Sequence, residues 1–188
     1  MFSIWIFFIV IANVVCEDFY SFTVKDWQGN DVSLEQYRGK VSLVVNVASE
    51  CSLTDAHFEA LVGIQQKINN GGRNIFQVLA FPSNQFGYQE PKDDAQIQSW
   101  AKYMFDINFP IFAKDAVIRQ HDDDNELPAV WKFLSEKAEP PSWNFWKYLI
   151  DPNGKVIKAY GSNMHIRQVY PDIQKLLVKH KLIDQSEL

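Results

Sequence analysis

The residue with the clearest chemical potential is Cys51, one of two cysteines in a chain of 188 residues. Two cysteines are too few for a disulfide framework or for a zinc site built from three or four thiolates. We expect a helix to begin directly after Cys51, with Ser52 as its N-cap and Asp55 completing a capping box. A helix start stabilises thiolate over thiol, so this position favours a reactive nucleophile outside the apolar core. A buried structural cysteine is the alternative.

Two continuous apolar runs predict buried strands on either side of that helix. Residues 41–48 (VSLVVNVA) and 76–81 (FQVLAF) are typical of strands buried on both faces. Between them, an apolar stripe at helical spacing predicts a helix from Leu53 that ends at Asn69-Asn70-Gly71-Gly72. Cys51 is therefore predicted to lie between the first buried strand and the first long helix.

The rest of the chain predicts three further elements in a fixed order. A second helix begins behind Asp93-Asp94, a hairpin turns at Asp151-Pro152-Asn153-Gly154, and a closing amphipathic helix begins at Ile166. A short turn at residues 26–30 predicts an additional hairpin near the start. The order strand, helix, strand, helix, hairpin, helix predicts an α/β protein with a thioredoxin-like fold, in which helices flank a mixed central sheet.

Composition limits the classes of partner. The chain carries 18 basic and 23 acidic residues, a net charge of -5, which argues against electrostatic binding to nucleic acid. No repeat or linker divides residues 17–188, so we expect a single domain there. The four histidines lack paired metal-ligand spacing, and no metal site is predicted.

Residues 1–16 resemble a secretory signal peptide. They contain no charged side chain, and their apolar stretch is shorter than a membrane span needs. We expect cleavage after Cys16, with an uncleaved signal anchor as the alternative, and hence a protein that is secreted or resident in the endoplasmic reticulum lumen. The terminal Glu-Leu matches half of a retrieval signal, and a frayed polar tail is an equal alternative. After cleavage Cys51 is the only thiol.

Three segments resemble the signature blocks of the glutathione peroxidases. They are residues 46–51 (NVASEC), 81–91 (FPSNQFGYQEP) and 143–149 (WNFWKYL), in the order and spacing of that family. The resemblance runs from about Phe19 to Leu182 and is strongest to the monomeric secretory-pathway branch. It implies a thioredoxin-like fold and a peroxidase that reduces hydrogen peroxide and organic or lipid hydroperoxides at the expense of a thiol.

The same resemblance implies the site residues. The family's selenocysteine or cysteine corresponds to Cys51, and its glutamine, tryptophan and asparagine correspond to Gln85, Trp143 and Asn144. A thiolate that attacks a peroxide moves negative charge onto the leaving oxygen, and neutral N–H donors from these side chains would stabilise it. Seen alone, Gln85 has an ordinary explanation as a turn residue and Trp143 as a core aromatic.

Departures from the family pattern concern the reductant. Ser52 replaces a common glycine, Ser83 replaces a cysteine often found in the second block, and no third cysteine is available to resolve an oxidised Cys51. The resemblance then implies a one-cysteine enzyme without a tightly bound cofactor, reduced by glutathione or by a protein thiol such as protein disulfide isomerase. The alternative is a redox relay or sensor that passes oxidising equivalents to such a client.

Two further expectations concern assembly and charge. The stretch between Ala113 and Leu127 lacks the insertion associated with the tetrameric members of the family, so a monomer is expected. Lys40 lies shortly before the first signature block and Lys147 lies within the third, and both are hypothesised to attract an anionic thiol or lipid headgroup. The alternative is that both are solvated surface lysines.

Overall fold

A short hairpin precedes the central sheet. In the computed structural model, which describes residues 17–120 and 126–187, strands β1 (Thr23–Lys25) and β2 (Asp31–Ser33) pair in antiparallel fashion. The Asp26 carboxylate accepts backbone N–H bonds from Gln28 and Asn30, which closes the predicted turn. The predicted signal segment, residues 1–16, and residues 121–125 of the short stretch before Leu127 lie outside the described part of the chain.

The central sheet has four strands in the order β4-β3-β5-β6. These are β3 (Val41–Val47), β4 (Phe76–Pro82), β5 (Lys147–Ile150) and β6 (Val156–Tyr160). β3 and β4 are parallel, and the other neighbouring pairs are antiparallel, so the sheet is mixed. Every residue of β3, β4 and β5 is buried, as expected for strands covered on both faces.

Four helices cover the sheet: α1 (Thr54–Ile68), α2 (Asp94–Phe105), α3 (Ala129–Lys137) and α4 (Ile166–Lys179). One apolar cluster joins alternate β3 residues, including Leu43 and Val45, to α1, α2 and α4. A second cluster joins Val44 of β3 to α3 and to the segment that precedes β1. Apolar side chains therefore pack on both faces of the sheet, and the α/β, thioredoxin-like prediction is confirmed.

The termini of the described region are held by local contacts. The Asp18 side chain caps a 3-10 turn at Phe19–Ser21 and pairs with Arg38. At the other end, Gln185–Glu187 forms a 3-10 turn, and the Glu187 carboxylate lies 2.7 Å from Arg73. Within the described residues, no helix is both long and apolar enough to cross a membrane.

Candidate active site

Cys51 lies in the turn that joins β3 to α1. Its backbone N–H donates to the Thr54 hydroxyl oxygen at 3.1 Å, and that hydroxyl in turn donates to the Ala48 carbonyl at 2.8 Å. Cys51 is 7% exposed and belongs to the first apolar cluster, so the expectation of a thiol outside the core is wrong. The predicted Ser52 cap is also wrong, because α1 begins at Thr54 without a side-chain cap.

The loop after β4 is tied directly to the cysteine turn. The Glu50 backbone N–H donates to the Gln89 carbonyl at 2.9 Å, immediately before Cys51. The Ser49 hydroxyl donates to the buried Glu90 carboxylate at 2.7 Å, and burial raises the pKa of that carboxyl. Two consecutive residues of this loop therefore hold the two residues that precede the thiol.

The segment before β5 reaches the same edge because β5 runs antiparallel to β3. Asn46, fully buried near the end of β3, organises this segment with both its side chain and its backbone. Its amide Nδ2 donates to the Trp143 carbonyl at 3.2 Å, and its Oδ1 accepts from the Trp146 backbone N–H at 2.8 Å. Its own carbonyl accepts from the Phe145 N–H at 2.8 Å. One buried asparagine thus fixes the polypeptide on both sides of Asn144.

Asn144 and Gln89 are in direct contact. Asn144 is fully buried, and its Nδ2 donates to Gln89 Oε1 at 2.9 Å and to the Phe86 carbonyl at 3.3 Å. Asn144 Oδ1 has no partner within the described residues. This contact uses the side-chain oxygen of Gln89 and not its amide N–H groups.

Trp143 covers one side of this arrangement and remains 40% exposed. Its ring lies 6.0 Å from the Phe86 ring, and a Cβ at Gly87 would approach its Cη2 to 3.3 Å. Gly87 also has φ +67°, so both backbone conformation and space favour glycine there. The Phe81–Pro91 block and Trp143 therefore pack closely.

Gln85 has other partners. Its Oε1 accepts from the backbone N–H groups of Val117 and Ile118 at 2.7 and 3.0 Å, and its Nε2 donates to the Ile118 carbonyl at 2.8 Å. The structure thus brings Trp143 and Asn144 to the cysteine turn and directs the Gln85 amide to another segment. The glutamine that meets Asn144 is Gln89, which the sequence reasoning missed. The same block contains both glutamines, and its spacing alone does not distinguish them.

Two buried basic residues lie beneath the site. The His57 ring stacks on the Phe145 ring with 4.9 Å between centroids. Burial, followed by the positive charges of Lys147 and His165, lowers the pKa of His57 to about 4. Lys147 is 0% exposed, and burial lowers its pKa to about 7. Neither role considered for Lys147, an accessible anion attractor or a solvated surface lysine, agrees with this burial.

Lys40 is half-buried, with its ammonium 5.7 Å from the centre of the Tyr37 ring, and burial lowers its pKa. Across the described ranges, no group of three or more His, Cys, Asp or Glu side chains could hold a metal ion. The groups that the structure gathers at this edge are the Cys51 thiol and the side chains of Gln89, Trp143 and Asn144.

Among the described residues, the one free cysteine lies at a strand-to-helix turn of a thioredoxin-like sheet. This arrangement is typical of the thioredoxin-fold thiol oxidoreductases. Comparison with known proteins narrows the class. The family model described as glutathione peroxidase matches residues 19–135. The chain is 43% identical over 185 residues to glutathione peroxidase 7 of Bos taurus, covering 96% of this chain and 95% of that protein. It is 41% identical to probable glutathione peroxidase 8 of Homo sapiens, covering 90% of this chain and 77% of that protein.

Solved structures agree. The crystal structure titled Trgpx in apo form superposes with a TM-score of 0.68 at 30% identity, covering 86% of this chain and 97% of that chain. The T. cruzi GPX1 structure gives a TM-score of 0.65 at 26% identity, covering 86% and 97%. The chain belongs to the glutathione peroxidase family and is a peroxidase, an oxidoreductase acting on peroxides.

Proposed function

We propose that this chain is a one-cysteine thiol peroxidase in which Cys51 is the peroxidatic residue. The observation that carries the proposal is the contact between Asn144 and Gln89 at 2.9 Å, in a loop bonded to the residue before Cys51. That contact gathers neutral amide groups from two distant segments around the only free cysteine of the described residues. A buried cysteine that serves only in packing does not require side-chain amides nearby, so their presence supports a catalytic role for Cys51.

The first step is the reduction of the peroxide. The Cys51 thiolate attacks one peroxide oxygen, an S–O bond forms, and the O–O bond breaks. The departing alkoxide or hydroxide takes a proton to give alcohol or water, and the sulfur is left as sulfenic acid. Negative charge grows on the leaving oxygen, and N–H donors that are already in place stabilise it without reorganisation.

We assign those donors to Gln89 and Trp143, and we assign to Asn144 the role of orienting the Gln89 amide, because both Asn144 N–H groups are used by Gln89 Oε1 and the Phe86 carbonyl. Gln89 takes the role that the sequence suggested for Gln85, because the Gln85 amide is bonded to the backbone of residues 117–118. Gln85 then acts at a distance, by holding that segment against the loop after β4. Trp143 contributes an indole N–H, and because its side chain is 40% exposed, substrate can contact its ring.

The second step needs an external thiol. One thiol attacks the sulfenic sulfur, releases water and forms a mixed disulfide, and a second thiol releases Cys51 and leaves as a disulfide. Glutathione and a protein thiol such as that of protein disulfide isomerase are the two candidate classes. We further propose that the protein acts as a monomer. We also propose that it acts in the secretory pathway, in the endoplasmic reticulum lumen or after secretion, and the N-terminal apolar segment supports this location.

The test measures oxidation of Cys51 in the full chain by stopped-flow mixing with hydrogen peroxide or a lipid hydroperoxide. Peptide-resolved alkylation follows Cys51 separately from Cys16. We expect oxidation far faster than that of a free cysteine, and its loss in Cys51→Ser. A rate no higher than that of free cysteine would refute the proposal.

Turnover with glutathione and with reduced protein disulfide isomerase, alone and in competition, then identifies the reductant. If oxidised Cys51 forms a disulfide in the isomerase in one stoichiometric step, without sustained peroxide consumption, the redox-relay hypothesis replaces the peroxidase hypothesis.

A further inference from the structure

Lys147 is a fully buried lysine without an acidic partner. It is the first residue of β5 and is 0% exposed. Its ammonium donates to the Phe145 carbonyl at 2.6 Å and more weakly to the Gly161 carbonyl at 3.5 Å. Among the ion pairs of the described residues, none involves Lys147. Burial of an unpaired ammonium opposes folding, so stability alone does not explain a lysine here.

The partner of Lys147 is an unusual peptide. Phe145 has φ +62°, a left-handed conformation that is costly for a bulky residue. The peptide between Phe145 and Trp146 is held at both ends: its carbonyl accepts from Lys147, and its N–H donates to Asn46 Oδ1 at 2.8 Å. Two fully buried polar side chains therefore maintain a strained turn one residue after Asn144.

We propose that Lys147 is a positioning residue of the peroxidase site, which holds the Phe145 carbonyl and thereby fixes Trp143 and Asn144 against the cysteine turn. The inference rests on the proposed function and deepens it, because it names what maintains the geometry of the donors. Lys147 does not touch the reacting atoms in this proposal. Its hydrogen bond acts through the turn at Phe145.

The charged and titratable groups around Lys147 favour a response to pH. α1 contributes His57, and His165 at the start of α4 lies behind it, with 6.2 Å between the two ring centroids. β6 contributes Tyr160, the register partner of Lys147, whose hydroxyl donates to Asp172 of α4 at 2.8 Å. Because burial lowers the pKa of Lys147 to about 7, its ammonium loses a proton near neutral pH. A charged donor makes the stronger hydrogen bond, so the turn is held most firmly below that pH.

The test compares the full-length wild type with Lys147→Met, which keeps the length of the side chain and removes the donor. Lys132→Met is the matched control, since the same replacement falls on an exposed lysine of α3. We expect Lys147→Met to slow Cys51 oxidation on the order of tenfold, since small displacements of catalytic groups cost this much or more. The midpoint of thermal unfolding should be unchanged or raised at pH 6, because an unpaired buried charge has been removed.

Two further readouts separate positioning from a structural role. The ratio of the wild-type to the Lys147→Met rate constant should fall as the pH rises from about 6 to about 8, following deprotonation of the amine. Lys147→Gln, which keeps a donor without the charge, should recover part of the rate and lack this pH dependence. In the folded proteins, the Trp146 backbone N–H should exchange with solvent faster in Lys147→Met than in wild type.

Three results would overturn the inference. The first is a Lys147→Met rate equal to that of wild type. The second is a loss of rate that follows a loss of thermal stability in all Lys147 variants, which would make the role merely structural. The third is unchanged exchange at Trp146. Failure of the proposed function gives a different result, because Cys51 of the wild type would then be oxidised no faster than free cysteine. The hydrogen-exchange comparison would still report whether Lys147 holds the turn at Phe145.

Discussion

The two glutamines of the second signature block offer a sharp test of the site. Gln89 accepts from Asn144 at 2.9 Å and lies in the loop bonded to Glu50, whereas Gln85 makes three hydrogen bonds to the backbone of residues 117–118. Gln89→Met and Gln85→Met each replace an amide by an apolar side chain of similar length. We predict that the first variant loses rate and the second loses stability.

The magnitudes follow from the contacts. Removal of one preorganised donor from the site of a developing oxyanion typically costs about 10²–10³-fold in rate, so we expect a loss in that range for Gln89→Met. Its loss of folding free energy should be about 1 kcal/mol, from one hydrogen bond. Gln85→Met loses three hydrogen bonds, or about 3 kcal/mol of unfolding free energy. For a chain of this size that corresponds to a fall of about 6–12 °C in the unfolding midpoint.

The assay pairs stopped-flow oxidation of Cys51 with thermal unfolding on the same preparations. Below the unfolding transition of both variants, Gln85→Met should react at nearly the wild-type rate constant. The reasoning is refuted if Gln85→Met is the slower variant at equal folded fraction, or if Gln89→Met reacts like wild type. The first outcome would return the donor role to Gln85, and the second would remove that role from Gln89.

Two other residues give independent predictions. Thr54→Val removes the hydroxyl that bridges Cys51 and Ala48 and should lower the free energy of unfolding by about 2 kcal/mol in urea titrations. Thr54→Ser keeps a hydroxyl and should retain most of the wild-type free energy of unfolding. Equal losses in the two variants would contradict the bridging role. Burial lowers the pKa of His57 from 6.5 to about 4. Between these two pH values the unfolded chain binds a proton that the folded chain does not, so the wild-type free energy of unfolding should fall by about 3 kcal/mol as the pH drops from about 6.5 to about 4. His57→Phe, which preserves stacking on Phe145, should lose this pH dependence in urea titrations, and an unchanged profile would exclude His57 as its source.

Much of the fold could be predicted because hydrophobic periodicity and turn chemistry are local signals. The predicted strand over residues 41–48 is β3, Val41–Val47, and the predicted helix stop at Asn69 follows α1, which ends at Ile68. The second helix begins with the predicted acidic pair, where Asp93 and Gln96 form a capping box. The short helix α3 was missed, since its nine residues span barely two helical repeats and give a weak pattern.

The site was less predictable, because its contacts join segments that are distant along the chain. The resemblance to the family's signature blocks implied Trp143 and Asn144, and the position before a helix also indicated Cys51, but the choice between Gln85 and Gln89 depends on where a loop folds back. The burial of Lys147 follows from strand register: Lys147 opposes Val45 of β3 and Tyr160 of β6 in a fully covered strand. A charged residue type gives no local signal of such burial.

The topology of the sheet has a consequence for synthesis of the protein. β3 and β4 can pair early, but Trp143 and Asn144 lie in the segment before β5, more than ninety residues after Cys51 in the chain. At typical elongation rates of about 5–20 residues per second, the thiol is made roughly 5–20 s before Trp143 and Asn144. During that interval the nascent chain carries an unshielded cysteine. Until β5 adds to the sheet, this thiol is open to chance disulfides, and peroxidase activity is acquired only when the last third of the chain has been made.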